Sequence, residues 1–284
     1  MNIPKKYVEE TIKISNANEL MIKKDLVISY ILQEISTNIK LNKLVFKGGT
    51  LLAKGYLNYH RFSEDIDFTY NKIFSGTNTA IRKNIKDFIK NTFLPVLQKI
   101  CDKYNLDFKS KEINEKNKKY CPVKSSIDLW YFNVYLDNKD KNPIKIEIKF
   151  QETLLYEVKK TKLSNINPNS KYLTYPLKET KINSYNIKEV IIEKIRAILT
   201  RDEIKERDFF DLFLLNKEIN IFNINKENIL NKLKNKEVYF ENLKNTKFTD
   251  NIEYLAIKEF KFQEYIRFCR DLEKFIESLF KKSI

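Results

Sequence analysis

The sequence predicts an α/β (α+β) fold, in which a mixed β-sheet with flanking helices is followed by a mainly helical C-terminal region. Segments typical of strands occur between about residues 40 and 155, and helical spacing of apolar residues surrounds them. From about residue 185 onward the helical period is the only signal. A length of 284 residues allows one large domain or two modest ones. We therefore predict a sheet domain with an N-terminal helix over residues 1–170 and a helical region over residues 171–284.

The individual elements are predicted from periodicity and from breaks in it. The predicted helices cover residues 18–39, 50–57, 81–104, 186–201, 206–217 and 250 to the end, and the predicted strands cover residues 43–47, 64–70, 126–136 and 143–153. Pro95 is expected to kink or break its helix, since proline cannot donate a helical hydrogen bond. The segment SNINPNSKYLTYP has no period, and it predicts a domain boundary between about residues 160 and 185.

Composition and charge exclude several classes of protein. No run of apolar residues is long enough to span a membrane, and the first residues lack the apolar core of a signal peptide, so we expect a cytoplasmic protein. Three distant cysteines and one histidine, His60, predict neither a disulfide framework nor a zinc site. Any chemistry must then use carboxylates, lysines and backbone groups. The net charge of +15 favours a polyanionic partner, although a general bias of the chain towards lysine explains it equally well.

Three of the four glycines, Gly48, Gly49 and Gly55, lie within eight residues of one another. Gly48 and Gly49 directly follow a predicted strand and precede a predicted helix. At such a turn the backbone can approach a ligand closely, and the exposed N–H groups favour a phosphate. Thr50 adds a hydroxyl at the same place. A tight strand-to-helix turn without a ligand is the alternative interpretation.

Two aspartates follow in the next predicted strand, where Asp65 and Asp67 alternate with Ile66 and Phe68. Because side chains alternate across a strand, both carboxylates are expected on one face. Adjacent carboxylates repel each other unless a cation lies between them, and hard oxygen ligands suit Mg²⁺ or Mn²⁺. An exposed acidic face is the alternative. The order Gly-Gly-Thr, short helix, Asp-x-Asp favours a phosphate site beside a metal site.

A third carboxylate is expected near this pair, because two-metal chemistry needs about three of them. Glu147 is the only acid on the polar face of the predicted strand KIEIKFQ, and Asp128 on the preceding strand is its rival. Either of them also suits a cross-strand ion pair with a lysine.

A second group of charged residues lies in the helical region. The helical neighbours of Lys194 are largely apolar, so this lysine either extends to water or meets an anion, such as a phosphate of a nucleotide. Asp208 and Asp211 share one helix face, from which they are able to hold Lys194 or shape a nucleotide pocket. The alternative is an ordinary intrahelical ion pair between Arg207 and Asp211.

The segment FKGGTLLAKGYLNYHRFSEDIDFTY resembles the first motif of the AbiEii/AbiGii-type nucleotidyltransferase toxins, a branch of the DNA polymerase β-like nucleotidyltransferase superfamily. EKIRAILTR and ERDFFDLF resemble the second conserved block of that branch, so the likeness spans about residues 20–216. The resemblance implies a polymerase β-like catalytic sheet and a helical C-terminal region, which we expect to complete the active-site cleft. It also implies metal-dependent transfer of a nucleotide from an NTP to an acceptor hydroxyl.

The resemblance implies that Gly48, Gly49 and Thr50 cradle phosphate and that Asp65 and Asp67 bind metal, and the residue patterns described above supply the other expected roles. Asp65, Asp67 and Glu147 are expected to bind Mg²⁺ or Mn²⁺ and, with Lys194 and Asp211, to be catalytic. The remaining expected contacts to the nucleotide and its phosphates are made by Gly48, Gly49, Thr50, Arg61, Ser63, Lys194 and Asp208. Some relatives extend the 3′ end of tRNA, and many are toxins of toxin–antitoxin or phage-defence pairs, so an RNA acceptor and a cognate antitoxin are expected. The alternatives are a protein or small-molecule acceptor, and an inactive nucleic-acid-binding protein.

Overall fold

The computed structural model describes residues 5–15, 17–114, 117–122, 128–166, 179–234, 237–239 and 260–280. The chain divides into two compact units. The first comprises residues 1–154 and 158–185, and the second comprises residues 155–157 and 186–284. The domain boundary predicted at residue 170 lies outside the described residues.

The first unit is built on a six-stranded mixed sheet. Its strands are β1 (Leu44–Lys47), β2 (Asp65–Tyr70), β3 (Leu129–Val134), β4 (Ile144–Lys149), β5 (Lys159–Leu163) and β6 (Thr180–Ser184). The spatial order is β3-β4-β2-β1-β6-β5. β2 pairs parallel with β4, and β1 pairs parallel with β6, whereas the other neighbours are antiparallel. The predicted mixed sheet with flanking helices is therefore confirmed.

Strands β5 and β6 lie in the segment where no strand was predicted. β5 forms one edge of the sheet, and its residues Lys159, Lys160 and Lys162 are exposed. Lysines on an edge strand disfavour pairing with another chain. A strand is predicted from apolar residues at alternate positions, and β5 and β6 lack this pattern. Leu163 is the buried apolar residue of β5, and Ile182 is that of β6. The first unit consequently continues to Tyr185.

Helices of the first unit flank this sheet. They are α1 (Lys5–Ser15), α2 (Glu19–Thr37), α3 (Gly48–Leu51), α4 (Asn78–Phe88) and α5 (Leu94–Tyr104), with π-helical turns at Leu52–Tyr56 and Ile89–Phe93. Helix α1 was not predicted. α2 begins after Asn18, whose side chain accepts a hydrogen bond from the Met21 N–H group. The predicted break is present, since Pro95 lies in the first turn of α5, directly after a π turn.

One face of the sheet is lined by core residues of the first unit. Apolar residues at alternate positions, such as Phe46, Phe68 and Ile146, are fully buried there. Phe93 packs against Phe132 of β3, with ring centroids 5.0 Å apart. Burial of each such side chain contributes about 1.5–3 kcal/mol to stability. A slip of one residue would move these side chains to the opposite face, so their burial fixes the register of the strands. The polar residues between them are therefore held on the other face of the sheet.

The second unit is helical. Its helices are α6 (Ile187–Thr200), α7 (Glu206–Glu218), α8 (Lys226–Leu233) and α9 (Phe262–Phe280). Aromatic rings join α7 to α9; Phe213, for example, contacts Tyr265 and Phe268 at centroid distances of 5.5 and 5.7 Å. The last helix was predicted from residue 250, and residues 250–259 lie outside the described residues. None of the helices described is long and apolar enough to cross a membrane.

Candidate active site

Asp65 and Asp67 lie on the same face of β2, as the alternation predicted. Both are partly exposed, whereas Ile66 and Phe68 between and beyond them are fully buried. The parallel register with β4 places Glu147 directly beside Asp67. Neighbouring strands are about 4.8 Å apart, so these two carboxylates belong to adjacent positions of one polar face.

The Gly48 backbone and the Asp67 carboxylate occupy adjoining space. Gly48 has a φ of +80°, and a Cβ atom added there would lie 2.0 Å from Oδ2 of Asp67. A side chain at this position would suffer both the backbone strain and a collision with the carboxylate. The glycine is thus required by the position of Asp67 as well as by the turn.

The predicted phosphate-binding residues surround Gly49 and Thr50. A Cβ atom on Gly49 would lie 2.7 Å from Nη2 of Arg61 and 3.2 Å from Oγ of Ser63. The Thr50 hydroxyl donates to the carbonyl oxygen of Asp65 and lies 2.9 Å from Oγ of Ser63. The structure therefore brings these residues together at the end of β2 that carries the aspartates.

Glu147 and its rival Asp128 occupy different positions. Glu147 is the register neighbour of Asp67, and its Oε1 lies 3.7 Å from Nζ of Lys47 on β1. Asp128 precedes β3 and pairs instead with Lys149, at 2.5 Å. Position alone thus favours Glu147 as the third carboxylate of this site.

The carboxylates of this site provide only part of a preformed magnesium site. Mg²⁺ in proteins is commonly bound by one or two carboxylates and keeps waters or substrate phosphates as its other ligands. Asp65 and Asp67 supply such a pair. Within the part of the chain that the structure describes, no group of three or more His, Cys, Asp or Glu side chains is arranged to hold a metal ion. Glu147 consequently does not complete a triad in this arrangement.

A buried ion pair supports the segment that leads to the aspartates. Nζ of Lys54 lies 2.7 Å from Oδ1 of Asp25 and donates to Oγ of Ser29 at 2.8 Å. The Tyr59 hydroxyl donates to the other oxygen of Asp25 at 2.9 Å. Burial lowers the pKa of Lys54, although the Asp25 carboxylate opposes this shift. Asn58 and Tyr59 adopt positive φ values of 44° and 57°, so this cluster anchors a strained segment just before Arg61.

The charged residues predicted in the helical region form a cluster within the second unit. Nζ of Lys194 lies 2.6 Å from a carboxylate oxygen of Asp208 and 2.6 Å from one of Asp211. Arg201 also pairs with Asp208. Both aspartates are almost completely buried. Asp208 and Asp211 therefore both hold Lys194.

Two residue groups at the site were missed by sequence reasoning. Lys47 follows three buried residues at the end of β1, so its sequence gives no sign of its partner Glu147, which lies two strands away. Lys54 and Asp25 lie on different helical segments, so their ion pair is a long-range contact that neither segment indicates by itself.

Comparison with known proteins identifies the family of this chain. The sequence model of the family described as "Nucleotidyl transferase AbiEii toxin, Type IV TA system" matches residues 30–281. This chain belongs to the AbiEii family. It is therefore a nucleotidyltransferase toxin of the type IV toxin–antitoxin class, and a cognate antitoxin partner is implied by that class. No curated protein matches the sequence.

Two solved structures are similar to this AbiEii chain, and one of them supports its fold. MenT4, a nucleotidyltransferase toxin from Mycobacterium tuberculosis H37Rv, is similar with a TM-score of 0.55 and 15% identity, over 96% of this chain and 87% of that one. JHP933 from Helicobacter pylori has a TM-score of 0.44 and 19% identity, over 94% of this chain and 96% of that one. The similarity to MenT4 agrees with the predicted nucleotidyltransferase fold.

Proposed function

We propose that this protein transfers a nucleotide from an NTP to the 3′-terminal hydroxyl of tRNA, using Mg²⁺ or Mn²⁺ bound by Asp65 and Asp67. The observation that carries the proposal is the position of these two carboxylates on one face of β2, against the Gly48–Gly49 turn and beside Glu147. Carboxylates for a cation and a glycine turn for phosphates are the parts that phosphoryl chemistry requires.

In the proposed reaction, the acceptor oxygen forms a bond to the α-phosphorus of the NTP. The bond between that phosphorus and the oxygen bridging to the β-phosphorus breaks, and pyrophosphate leaves. A bound divalent ion would neutralise phosphate charge and lower the pKa of the attacking hydroxyl. Glu147 is proposed to accept the proton of that hydroxyl and to serve as the third carboxylate, because it lies beside Asp67.

The remaining predicted residues are proposed to hold the triphosphate. Arg61 and Ser63 adjoin Gly49, and a guanidinium group suits bidentate contacts to phosphate oxygens. Lys194 is proposed to stabilise phosphate charge, with Asp208 and Asp211 fixing its ammonium group.

The net charge of +15 supports an RNA acceptor. A polyanion is attracted by such a surface, and its affinity should fall as the salt concentration rises. Modification of tRNA at its 3′ end also provides a physical route to toxicity, since a blocked 3′ hydroxyl cannot be aminoacylated.

The test uses purified protein, Mg²⁺, total tRNA and each NTP in turn, labelled at the α-phosphate. The double variant Asp65→Ala/Asp67→Ala is the control, with its folding checked by circular dichroism. We expect label in tRNA with the wild-type protein and none with the variant. Label in protein instead of tRNA, or equal labelling by the folded variant, would overturn the proposal.

A further inference from the structure

Lys47, Asp67 and Glu147 occupy one row across three neighbouring strands. Lys47 on β1 is the register partner of Asp67 on β2, and Asp67 is the register partner of Glu147 on β4. The side chain of Lys47 nevertheless extends to Glu147, where Nζ lies 3.7 Å from Oε1. This ion pair therefore spans β2, the strand that carries both proposed metal ligands, Asp65 and Asp67.

The Lys47 side chain is largely shielded from water. Only 12% of its side chain is exposed, compared with 28% for Glu147. Shielding strengthens the interaction of this charge with its neighbours, because fewer waters screen it. A positive charge 3.7 Å from Glu147, in the row that also holds Asp67, lies close to where a divalent cation bound by these carboxylates would be.

We propose that Lys47 is a built-in counter-ion of the Asp67–Glu147 pair, which competes with the divalent metal ion and keeps Glu147 out of its coordination sphere until substrate binds. This inference rests on the proposed function, because it assumes a metal ion at Asp65 and Asp67. It accounts for the finding that Glu147 lies beside Asp67 and yet, among the described residues, belongs to no preformed three-ligand group. Metal affinity without a nucleotide should accordingly be weak.

The test measures Mn²⁺ binding to the full chain without nucleotide, by electron paramagnetic resonance of the free ion. A single charge and a divalent ion about 5 Å apart in water interact strongly enough that removing the ammonium should tighten binding about tenfold. We therefore expect the dissociation constant for Mn²⁺ to fall about tenfold in Lys47→Met, and to stay at the wild-type value in Lys47→Arg. Lys47→Gln is a second neutral variant, and the same tightening is expected for it.

Lys149→Met is the matched control. Lys149 lies on the same strand and face as Glu147, about 7 Å further along, and pairs with Asp128. Removing it changes the net charge equally, but it should alter the Mn²⁺ dissociation constant less than about threefold. The inference would be overturned if the dissociation constant of Lys47→Met for Mn²⁺ equalled that of Lys149→Met, or if it were higher than that of the wild type.

The same samples separate this inference from the proposed function. If wild-type protein labels tRNA and binds Mn²⁺, but neither Lys47→Met nor Lys47→Gln binds it more tightly, only the role of Lys47 is wrong. If neither wild type nor these variants bind Mn²⁺ and no tRNA is labelled, the proposed function and the inference fall together.

Discussion

Replacing Lys54 by methionine tests whether the buried cluster of Lys54, Asp25, Ser29 and Tyr59 stabilises the segment that precedes the aspartates. Lys54 is 1% exposed and Asp25 is 4% exposed, so water cannot replace a lost partner. In Lys54→Met the Asp25 carboxylate keeps the hydrogen bond from Tyr59 but loses the ammonium group.

The expected cost follows from this loss. A buried charge that loses its counter-ion lowers the free energy of unfolding by about 3–5 kcal/mol. The double variant Lys54→Met/Asp25→Leu removes both charges and leaves the hydroxyls of Ser29 and Tyr59 with fewer partners, which costs about 1–3 kcal/mol. The double variant should therefore be more stable than the single variant, although it carries more changes.

Trp130 makes the measurement specific. It is the single tryptophan of the chain, and it lies on β3 in the first unit. Its fluorescence in a urea titration therefore reports the unfolding of the unit that contains Lys54, without a signal from the helical unit. The slope of the transition should stay constant if only stability has changed.

Two results would contradict this reasoning. A loss of less than about 1 kcal/mol in Lys54→Met would mean that the pair contributes no more than an exposed ion pair does. If the free energy of unfolding lost in Lys54→Met/Asp25→Leu equals the sum of the losses in Lys54→Met and Asp25→Leu, the two charges are not coupled.

Three further predictions concern single residues. Gly48→Ala should lower nucleotidyl transfer about a hundredfold, as expected for a displaced carboxylate. Gly76 also has a positive φ, but a Cβ atom there would lie 3.5 Å from its nearest contact, so Gly76→Ala should keep the wild-type rate. Equal rates of the two variants in a labelling assay would refute this. Lys194→Met leaves two buried aspartates without their ammonium and should lower the free energy of unfolding of the helical unit by about 3–5 kcal/mol, so an unchanged transition by circular dichroism would count against it. Burial raises the pKa of Asp107, but hydrogen bonds from a lysine and a tyrosine outweigh it and leave the pKa below its ordinary value. The stability advantage of wild type over Asp107→Asn should thus be complete above about pH 4 and disappear as the pH falls further, and an advantage in urea titrations that persists in acid would contradict it.

The position of the aspartates was predictable because the signals are local. Alternation of Asp65 and Asp67 with buried apolar residues places both on one face of a strand, whatever the rest of the fold. Glycine is scarce in this chain, so its concentration at Gly48 and Gly49 indicated a backbone requirement, and the contact of Gly48 with Asp67 supplies the reason.

The partners of these residues were less predictable, because they depend on strand order. The sequence favoured Glu147 over its rival Asp128 without excluding the latter, and the parallel pairing of β2 with β4 is what places Glu147 beside Asp67. The same pairing brings Lys47 within 3.7 Å of Glu147 across an intervening strand. Long-range contacts of this kind leave no periodic pattern in either strand.

Polar elements were the other source of error. Helix α1 and strand β5 each contain three lysines, and strand β6 has a single buried apolar residue, Ile182, so these short elements differ little from polar loops in sequence. Their stability depends on packing against the rest of the first unit, as in the hydrogen bond from the Tyr7 hydroxyl to the carbonyl oxygen of Ile166. Tertiary contacts therefore override weak local preferences in these segments.

The central claim is that the reaction occurs at the 3′ hydroxyl of tRNA, and the intact mass of tRNA tests it most directly. The tRNA is incubated with wild-type protein, Mg²⁺ and NTPs, and a parallel sample has its 3′-terminal diol destroyed beforehand by periodate oxidation. We predict that the intact tRNA gains the mass of one or more nucleoside monophosphates and that the oxidised tRNA gains none. An equal gain by oxidised tRNA, or an unchanged mass in both samples, would contradict the claim.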